Sequence, residues 1–351
     1  MFNTRFSGLT GLILLSILTF SSCAPEENTP TGAYAEGVFF INEGSFGQGN
    51  GSITHLNPTT QTLTQDIIGA ANNGLITGDI VQDLQFSTTK AFVVVNNGNR
   101  ILVLEKGSFV LDTILTGRPL PRFIFLDQGT AYLTQWVSFG ASGNLVKINL
   151  ADYSMTDSIV LGELPEQMLP MGNDLWVINS NEEGDKGCMR IQRNPLQMLS
   201  QTDVGDRPNS MVKDEQGRVW ILAGGRPSWA GSPTPGSLSR MNADGTVAFT
   251  LTLPDSLGNS TRLTWLGNSR VGFLANQGVY TYNINEANAS LDLLIPGIGY
   301  GLAAHPGSGQ IYVTDAGNFS QAGTVKLYNA QGQFQQSWTA GVGVSQVIFQ
   351  P

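Results

Sequence analysis

An internal repeat of about 40 to 50 residues runs through nearly the whole length of this chain and limits the folds that it can adopt. Each copy predicts a short strand, a turn built on Gly, Asn or Asp, and a second strand, followed by third and fourth strands. The copies begin at Thr77, Gly117, Gly162, Gly205, Gly258 and Gly297. One such unit cannot bury its apolar side chains alone, so the copies must pack against one another.

A four-stranded unit repeated at this period is the blade of a β-propeller, and the two ends of the chain fix the number of blades. Residues 37–44 and the two segments after them supply second, third and fourth strands without a first, whereas residues 341–349 supply a first strand with nothing after it. We therefore predict an all-β fold, a seven-bladed β-propeller whose ring is closed by N- and C-terminal strands sharing one blade. A β-sandwich and a six-bladed ring are the alternatives.

Composition excludes several classes of function. The chain has 18 Lys and Arg against 27 Asp and Glu, a formal net charge of -9, so it offers no basic groove for nucleic acid. Charged residues make up 13% of the sequence and Gly numbers 42, which favours turns and strands over long amphipathic helices. Two His and two Cys are too few for the common zinc clusters or a disulfide framework, and we expect no metal site.

The first 36 residues are predicted to be an export signal and a tether. The apolar run at residues 12–18 is too short to span a bilayer, so residues 1–22 are predicted to be a cleaved signal peptide. Ser21 and Ser22 before Cys23 resemble a bacterial lipobox, which implies lipidation of Cys23; a plain signal peptide with a chance cysteine is the alternative. Residues 23–36 predict a flexible tether, residues 37–351 the propeller. Because the body is acidic, we expect membrane contact only through the lipid.

The propeller segment resembles a known group of proteins. Residues 91–105, residues 310–332 and above all the opening at 37–58 are similar to YncE-like or surface-layer-type seven-bladed propellers of Bacteroidetes lipoproteins, and to BtuG-type proteins. Glu26 and Glu27 after Cys23 resemble the surface-export signal of Bacteroidetes lipoproteins, so we expect a monomeric outer-membrane lipoprotein at the cell surface. The BtuG resemblance implies a protein that captures its ligand there. Such a protein binds cobalamin as a ligand, not as a catalytic cofactor, and passes it to a TonB-dependent transporter. A periplasmic location and other ligands stay open, because one fold serves many functions.

Five loops that follow second strands are rich in Gly, Asn or Ser, and four of them also carry aromatic residues. They span residues 42–51, 134–143, 179–187, 223–236 and 314–323. Such loops meet on one face of a propeller, and aromatic side chains give large contact areas at low entropic cost. We therefore predict that five aromatics ring one mouth of the channel and bind a ligand: Phe46, Trp136, Phe139, Trp229 and Phe319. The alternative is that each one only packs a loop against its neighbour.

The repeats place a second set of side chains at the top of the strands that line the channel. Six are polar or charged and one is a tyrosine: Asp83, Arg122, Gln167, Asn209, Arg262, Tyr300 and Gln346. Such a ring suits a ligand with several amides or hydroxyls, and two arginines suit a carboxylate or phosphate. A water-filled channel whose polar groups satisfy one another is the alternative.

Candidate catalytic groups are scarce. His55 and His305 are predicted to lie apart, so a His-based triad is not expected, and no GxSxG motif is present. Cys188 is expected to be buried and inert rather than reactive. The acidic run at 182–185 favours a solvated loop over a metal site. We therefore predict a binding protein without catalytic residues. A lactonase-type hydrolase that uses Arg122 and Arg262, and a protein-protein or cell-surface adhesion module, are the alternatives.

Overall fold

Second strands of the repeats are continuous apolar runs because they are buried on both faces. The computed structural model describes residues 1–3, 32–181, 187–286 and 290–350. In it, residues 91–95 (AFVVV) are at most 2% exposed, since neighbouring sheets cover them from both sides. The described residues form seven antiparallel sheets of four strands, which confirms the seven-bladed β-propeller. The predicted signal peptide from residue 4 on, Cys23 and the acidic run at 182–185 lie outside the described residues.

Blades are numbered in chain order from the one that holds both ends. Blade 1 contains β1 (Gly37–Asn42), β2 (Ser52–Leu56), β3 (Leu63–Thr64) and β28 (Val344–Gln350). Blade 2 contains β4 (Val81–Phe86), β5 (Lys90–Val95), β6 (Arg100–Glu105) and β7 (Leu111–Leu115). Blade 3 contains β8 (Pro121–Asp127), β9 (Thr130–Gln135), β10 (Gly143–Asn149) and β11 (Met155–Gly162). Blade 4 contains β12 (Pro165–Met171), β13 (Asp174–Asn179), β14 (Gly187–Arg193) and β15 (Leu196–Thr202).

The remaining blades follow the same order. Blade 5 contains β16 (Pro208–Lys213), β17 (Val219–Ala223), β18 (Ser237–Met241) and β19 (Val247–Thr252). Blade 6 contains β20 (Thr261–Gly267), β21 (Arg270–Ala275), β22 (Gly278–Asn283) and β23 (Leu291–Pro296). Blade 7 contains β24 (Gly301–Ala304), β25 (Ile311–Asp315), β26 (Ala322–Tyr328) and β27 (Phe334–Val342). Helix α1 (Ile67–Ala71) joins blades 1 and 2, and 3-10 turns occupy Ser228–Ala230 and Asp255–Leu257. No helix among these described elements is long and apolar enough to cross a membrane.

The C-terminal strand closes the ring beside the first strand, as the sequence predicts. Strand β28 pairs antiparallel with β1, with Val38 opposite Phe349 and Ile41 opposite Gln346. The backbone N–H of Glu43 also donates to the Gly343 carbonyl at 3.0 Å. These contacts join the two ends of the described domain in one sheet, so blade 1 depends on both.

The core lies between the blades. Seven clusters of buried apolar side chains occupy the spaces between neighbouring sheets. Tight hairpins join first to second strands; in blade 3, Gln128 (φ 40°) and Gly129 (φ 82°) form the turn with two positive φ angles that matches the strand twist. These hairpins lie on the lower face. The connections from second to third strands and from one blade to the next lie on the opposite side, called the upper face below.

Part of the predicted tether contacts the propeller. The Tyr34 backbone N–H donates to the Gly107 carbonyl at 2.8 Å, and the Tyr34 ring packs edge-on against His55 and Phe109. Residues 32–36, assigned to the tether by composition, therefore extend the ordered domain.

Candidate functional site

A polar cavity opens at the centre of the upper face. Its volume is about 360 Å³, at the lower end of the range typical of small-molecule sites. Residues of the inner strands of blades 2 to 6 and of loops beside blades 1, 2, 4 and 7 line it: Glu43, Ile80, Gln82, Arg122, Phe123, Glu166, Gln167, Ser180, Asn209, Ser210, Thr261, Arg262, Gly299 and Tyr300. Five of the seven predicted channel residues are in this wall: Arg122, Gln167, Asn209, Arg262 and Tyr300.

A repeated backbone kink aims polar side chains into the cavity. In blades 2 to 5, the residue just before the inner strand has a positive φ between 41° and 57°, and its carbonyl accepts an N–H from just beyond the second strand. A β-bulge follows in each inner strand. The second residue after the kink faces the cavity in all four blades: Gln82, Arg122, Glu166 and Asn209.

Arg122 is held by the protein on every side. Its guanidinium donates to the Glu166 carboxylate, with Nη2 3.0 Å from Oε2 and Nε 3.1 Å from Oε1. Nη1 donates to Gln82 Oε1 at 2.6 Å, and the Trp136 ring covers the guanidinium at 3.9 Å. Burial raises the pKa of Glu166, and the Arg122 charge opposes that shift. The Trp136 indole N–H is buried without a well-formed hydrogen bond, although it lies near enough to Glu166 to favour the carboxylate.

The two glutamines present donors to the cavity. Gln82 Oε1 is occupied by Arg122, and Gln167 Oε1 accepts the Met211 backbone N–H at 3.1 Å. Because both oxygens have protein donors, the amide orientations are fixed and both Nε2 groups remain without a partner among the described residues. Asn209 differs, since its Nδ2 already donates to the Ser260 carbonyl at 2.9 Å and its Oδ1 accepts from Ser210 Oγ.

Tyr300 separates the other two charged groups of the wall. Its hydroxyl donates to Glu43 Oε2 at 2.9 Å, and its carbonyl accepts from Arg262 Nε at 3.1 Å. The Arg262 guanidinium lies 5.5 Å from the Tyr300 ring centre. Burial and the Glu43 charge raise the pKa of Tyr300, so its hydroxyl stays a neutral donor. Within the described ranges, the terminal Nη groups of Arg262 and Glu43 Oε1 have no hydrogen-bond partner.

Two predicted channel residues lie outside the cavity wall. Asp83 is buried, and its carboxylate accepts the backbone N–H of Ile124 in blade 3 at 3.0 Å, so it joins two blades. Burial raises the pKa of Asp83 to about 6. Gln346 donates through Nε2 to the Gln82 carbonyl at 2.5 Å and joins blade 1 to blade 2. The bulges shift these positions by one residue, which is why Gln82 replaces Asp83 in the wall.

The five predicted aromatics all lie on the upper face, but they divide into two groups. Trp136 and Phe319 pack directly behind the cavity wall, on Arg122 and edge-on against Tyr300 at 5.1 Å, respectively. Phe319 is nevertheless 40% exposed. The other three are more exposed and lie outside the wall: Phe46 (71%), Phe139 (70%) and Trp229 (79%). Trp136 and Phe319 therefore act as packing residues behind the wall. Phe46, Phe139 and Trp229 are exposed enough to contact a ligand on the upper face.

Three cavity residues lacked a clear signal in the sequence. Arg122 and Glu166 each follow a Leu-Pro pair. Aligning the repeats on these pairs would have placed Glu166 opposite Arg122, whereas the prediction chose its neighbour Gln167. The alignment of the repeats predicts Asp83 at the position in the wall that Gln82 occupies, an error of one residue. Glu43 belongs to an upper-face loop and reaches the cavity only through its contact with Tyr300, 257 residues away.

The two histidines and Cys188 form structural contacts or are buried, and they do not come together in a site. His55 Nε2 lies 2.8 Å from the Glu36 carbonyl, and His305 Nδ1 accepts two backbone N–H groups of its own turn, so the two imidazoles do not meet. Cys188 is buried, and burial raises the pKa of its thiol to about 12. Among the described residues, no three His, Cys, Asp or Glu side chains are grouped as metal ligands would be.

The sequence matches one family model. Residues 36–340 match the family described as "Domain of unknown function (DUF5074)". No curated protein matches the chain.

Solved structures share the fold at low sequence identity. A quinonprotein alcohol dehydrogenase-like protein from Bacteroides thetaiotaomicron aligns with a TM-score of 0.66 at 12% identity, over 91% of this chain and 79% of its own. A functionally unknown protein from Desulfotomaculum acetoxidans aligns with a TM-score of 0.63 at 12% identity, over 90% and 98%. The periplasmic gluconolactonase PpgL of Pseudomonas aeruginosa aligns with a TM-score of 0.61 at 15% identity, over 89% and 99%. Such identities show the fold alone.

Proposed function

This chain belongs to the DUF5074 family, and we propose that its propeller is a binding protein that captures a small polar solute in the central cavity. One observation carries the proposal: the wall presents amide and guanidinium donors, from Gln82, Gln167 and Arg262, whose acceptors are missing among the described residues. Each donor is held in place by another protein contact, so little side-chain entropy is lost when a ligand binds. A solute rich in carboxylate, carbonyl or hydroxyl oxygens fits this donor set.

The cavity volume limits the solute. A space of about 360 Å³ suits a molecule of the size of an amino acid or a sugar acid. Cobalamin, which the resemblance of residues 37–58 to BtuG-type proteins suggests, is larger and would have to lie across the upper face. It would then contact the exposed rings of Phe46, Phe139 and Trp229.

The cellular setting belongs to the same proposal and is supported by the sequence alone. Acylation of Cys23 would anchor the propeller in the outer membrane, with the upper face free to deliver its solute to a TonB-dependent transporter. A Cys23→Ser variant should lose the acyl mass and move from the membrane to the soluble fraction. Unchanged membrane association would contradict lipid anchoring.

The binding proposal is tested by a substitution that turns one hydrogen-bond donor of the cavity into an acceptor. Gln167→Glu keeps the oxygen that accepts the Met211 N–H and replaces the free donor with a negatively charged acceptor. Thermal-shift and calorimetric screens would use the L-amino acids, sugar acids such as gluconate, and cyanocobalamin. We expect at least one solute to bind the native protein and to bind Gln167→Glu roughly tenfold or more weakly.

Gln216→Glu is the matched control because it makes the same change in an exposed hairpin of the lower face. It should bind as the native protein does. Binding that is equal in all three proteins would contradict a site in the cavity. If cyanocobalamin alone binds and Trp229→Ala weakens it while Gln167→Glu does not, the ligand lies on the upper face instead.

A turnover assay distinguishes the alternative, a lactonase, from a binding protein. Hydrolysis of glucono-1,5-lactone above the spontaneous rate, lost in Glu43→Gln, would favour a hydrolase over a binding protein. The predicted pair of arginines is not equivalent in the structure, since Arg122 is neutralised by Glu166 and only Arg262 keeps free donors.

A further inference from the structure

The cavity wall holds four charged groups that divide into a closed pair and an open pair. Arg122 and Glu166 form an ion pair with N–O distances near 3 Å, and their side chains are 14% and 10% exposed. The Arg262 charge also acts on Glu166, since it opposes the rise of that carboxyl's pKa, but the two side chains form no ion pair. Arg262 and Glu43 are left, and no ion pair within 4.0 Å joins either of them to another described residue.

Tyr300 holds the open pair apart. Its carbonyl accepts from Nε of Arg262, a residue of the cavity wall, and both Nη groups are left without a hydrogen-bond partner among the described residues. Its hydroxyl fixes Glu43 through Oε2, which leaves Oε1 available as an acceptor. The Arg262 guanidinium thus lies over the face of the Tyr300 ring and the Glu43 carboxylate lies at its hydroxyl end, and a hydrogen bond to Tyr300 orients each group.

This arrangement discriminates among the polar solutes that the proposed function allows. A solute with only a carboxylate satisfies Arg262 but brings its negative charge near Glu43, whose oxygen stays unpaired and loses water. A neutral sugar satisfies the glutamine donors but leaves both charges without partners. A solute with a carboxylate and an ammonium a few bonds apart pairs with both charges at once.

We infer that the cavity binds a zwitterion, a free α-amino acid, with its carboxylate on Arg262 and its ammonium on Glu43. This inference rests on the proposed function and narrows it to one chemical class. The Nε2 groups of Gln82 and Gln167 line the same cavity and are available as further donors to oxygens of the bound molecule. The cavity volume leaves room for a side chain.

Calorimetry with the twenty L-amino acids at millimolar concentration provides the test. For each amino acid that binds, two analogues remove one charge at a time: the N-acetyl derivative lacks the ammonium, and the carboxamide lacks the carboxylate. We expect each analogue to bind roughly 10- to 100-fold more weakly than the parent, the range for hydrogen bonds to charged groups.

Two variants assign each charge to its residue. Glu43→Gln keeps an oxygen for the Tyr300 hydroxyl, and it should bind the amino acid and its N-acetyl derivative about equally. Arg262→Gln should bind the amino acid and its carboxamide about equally. Arg270→Gln is the control, since Arg270 also donates to a carbonyl but lies beside the lower-face hairpin of blade 6; it should preserve both preferences.

The outcomes separate this inference from the proposed function. If gluconate or an N-acetyl derivative binds at least as tightly as the amino acids, and Gln167→Glu weakens it, the cavity is a site but not for zwitterions. If none of the amino acids binds, the zwitterion is likewise overturned. If amino acids bind but Gln167→Glu, Glu43→Gln and Arg262→Gln leave their affinity unchanged, both conclusions fail. Circular dichroism melts of each variant establish that the fold is retained.

Discussion

The Arg122–Glu166 ion pair predicts a large loss of stability when either partner is removed alone. Glu166→Ala deletes the acceptor of two guanidinium nitrogens and leaves a charge that is 14% exposed without its counterion. Breaking such a pair costs about 3 to 5 kcal/mol. Arg122 would keep Gln82 and the Trp136 face, so we expect the lower end, about 3 kcal/mol, for the free energy of unfolding.

A double-mutant cycle measures the coupling. Arg122→Ala should cost a similar amount, because it leaves the Glu166 carboxylate buried and unpaired, whereas the double variant removes both charges. We expect a coupling free energy of about 2 kcal/mol from urea unfolding followed by far-ultraviolet circular dichroism.

The exposed pair of Lys90 and Glu105 supplies the control. The Glu105 side chain is 48% exposed, so Glu105→Ala should change the free energy of unfolding by less than about 1 kcal/mol. The reasoning is refuted if Glu166→Ala is as mild as Glu105→Ala, or if the coupling is near zero.

Four further predictions follow from single contacts. Burial raises the pKa of Asp83 from 3.8 to about 6, so the charged carboxylate destabilises the folded state. Relative to Asp83→Asn, the native protein should therefore lose about 2 kcal/mol of stability between pH 4 and pH 7, and urea midpoints that change in parallel in the two proteins would contradict this. Ending the chain after residue 343 removes β28, so the protein should lose its cooperative melt and aggregate in gel filtration, whereas an unaltered melt would refute ring closure. Trp136→Ala should lower the unfolding free energy by about 2 kcal/mol through lost packing on Arg122, while an equal effect of Trp229→Ala, which is exposed, would count against this. The Cys188 thiol should react with Ellman's reagent only after denaturation; rapid labelling of the native protein would show that it is accessible.

Much of the fold was predictable because the repeat recurs along nearly the whole chain. The missing first strand before residue 37 and the extra one after residue 341 together predict a shared blade, and the pairing of β28 with β1 confirms it. The helix α1 was not predicted. It takes the place of a longer outer strand in blade 1, and its two isoleucines, Ile67 and Ile68, fill the core between blades 1 and 2.

The cavity was predictable only to within one residue, and its charge pattern was not predictable at all. A bulge between Val81 and Asp83 shifts the alternation of the strand, so Gln82 faces the cavity and Asp83 joins two blades. Periodicity cannot locate such a bulge. The neutralisation of Arg122 depends on Glu166 of the adjacent blade, 44 residues away, and repeats that resemble one another do not reveal which neighbours carry complementary charges.

A crystal structure of the protein soaked with the solute that binds most tightly in the screen will show whether the central cavity is the binding site. We predict electron density for that solute inside the cavity, with its oxygens within hydrogen-bond distance of Gln167 Nε2 and the Arg262 guanidinium. Density only against the exposed rings of Phe46 or Trp229, with water alone in the cavity, would contradict the account.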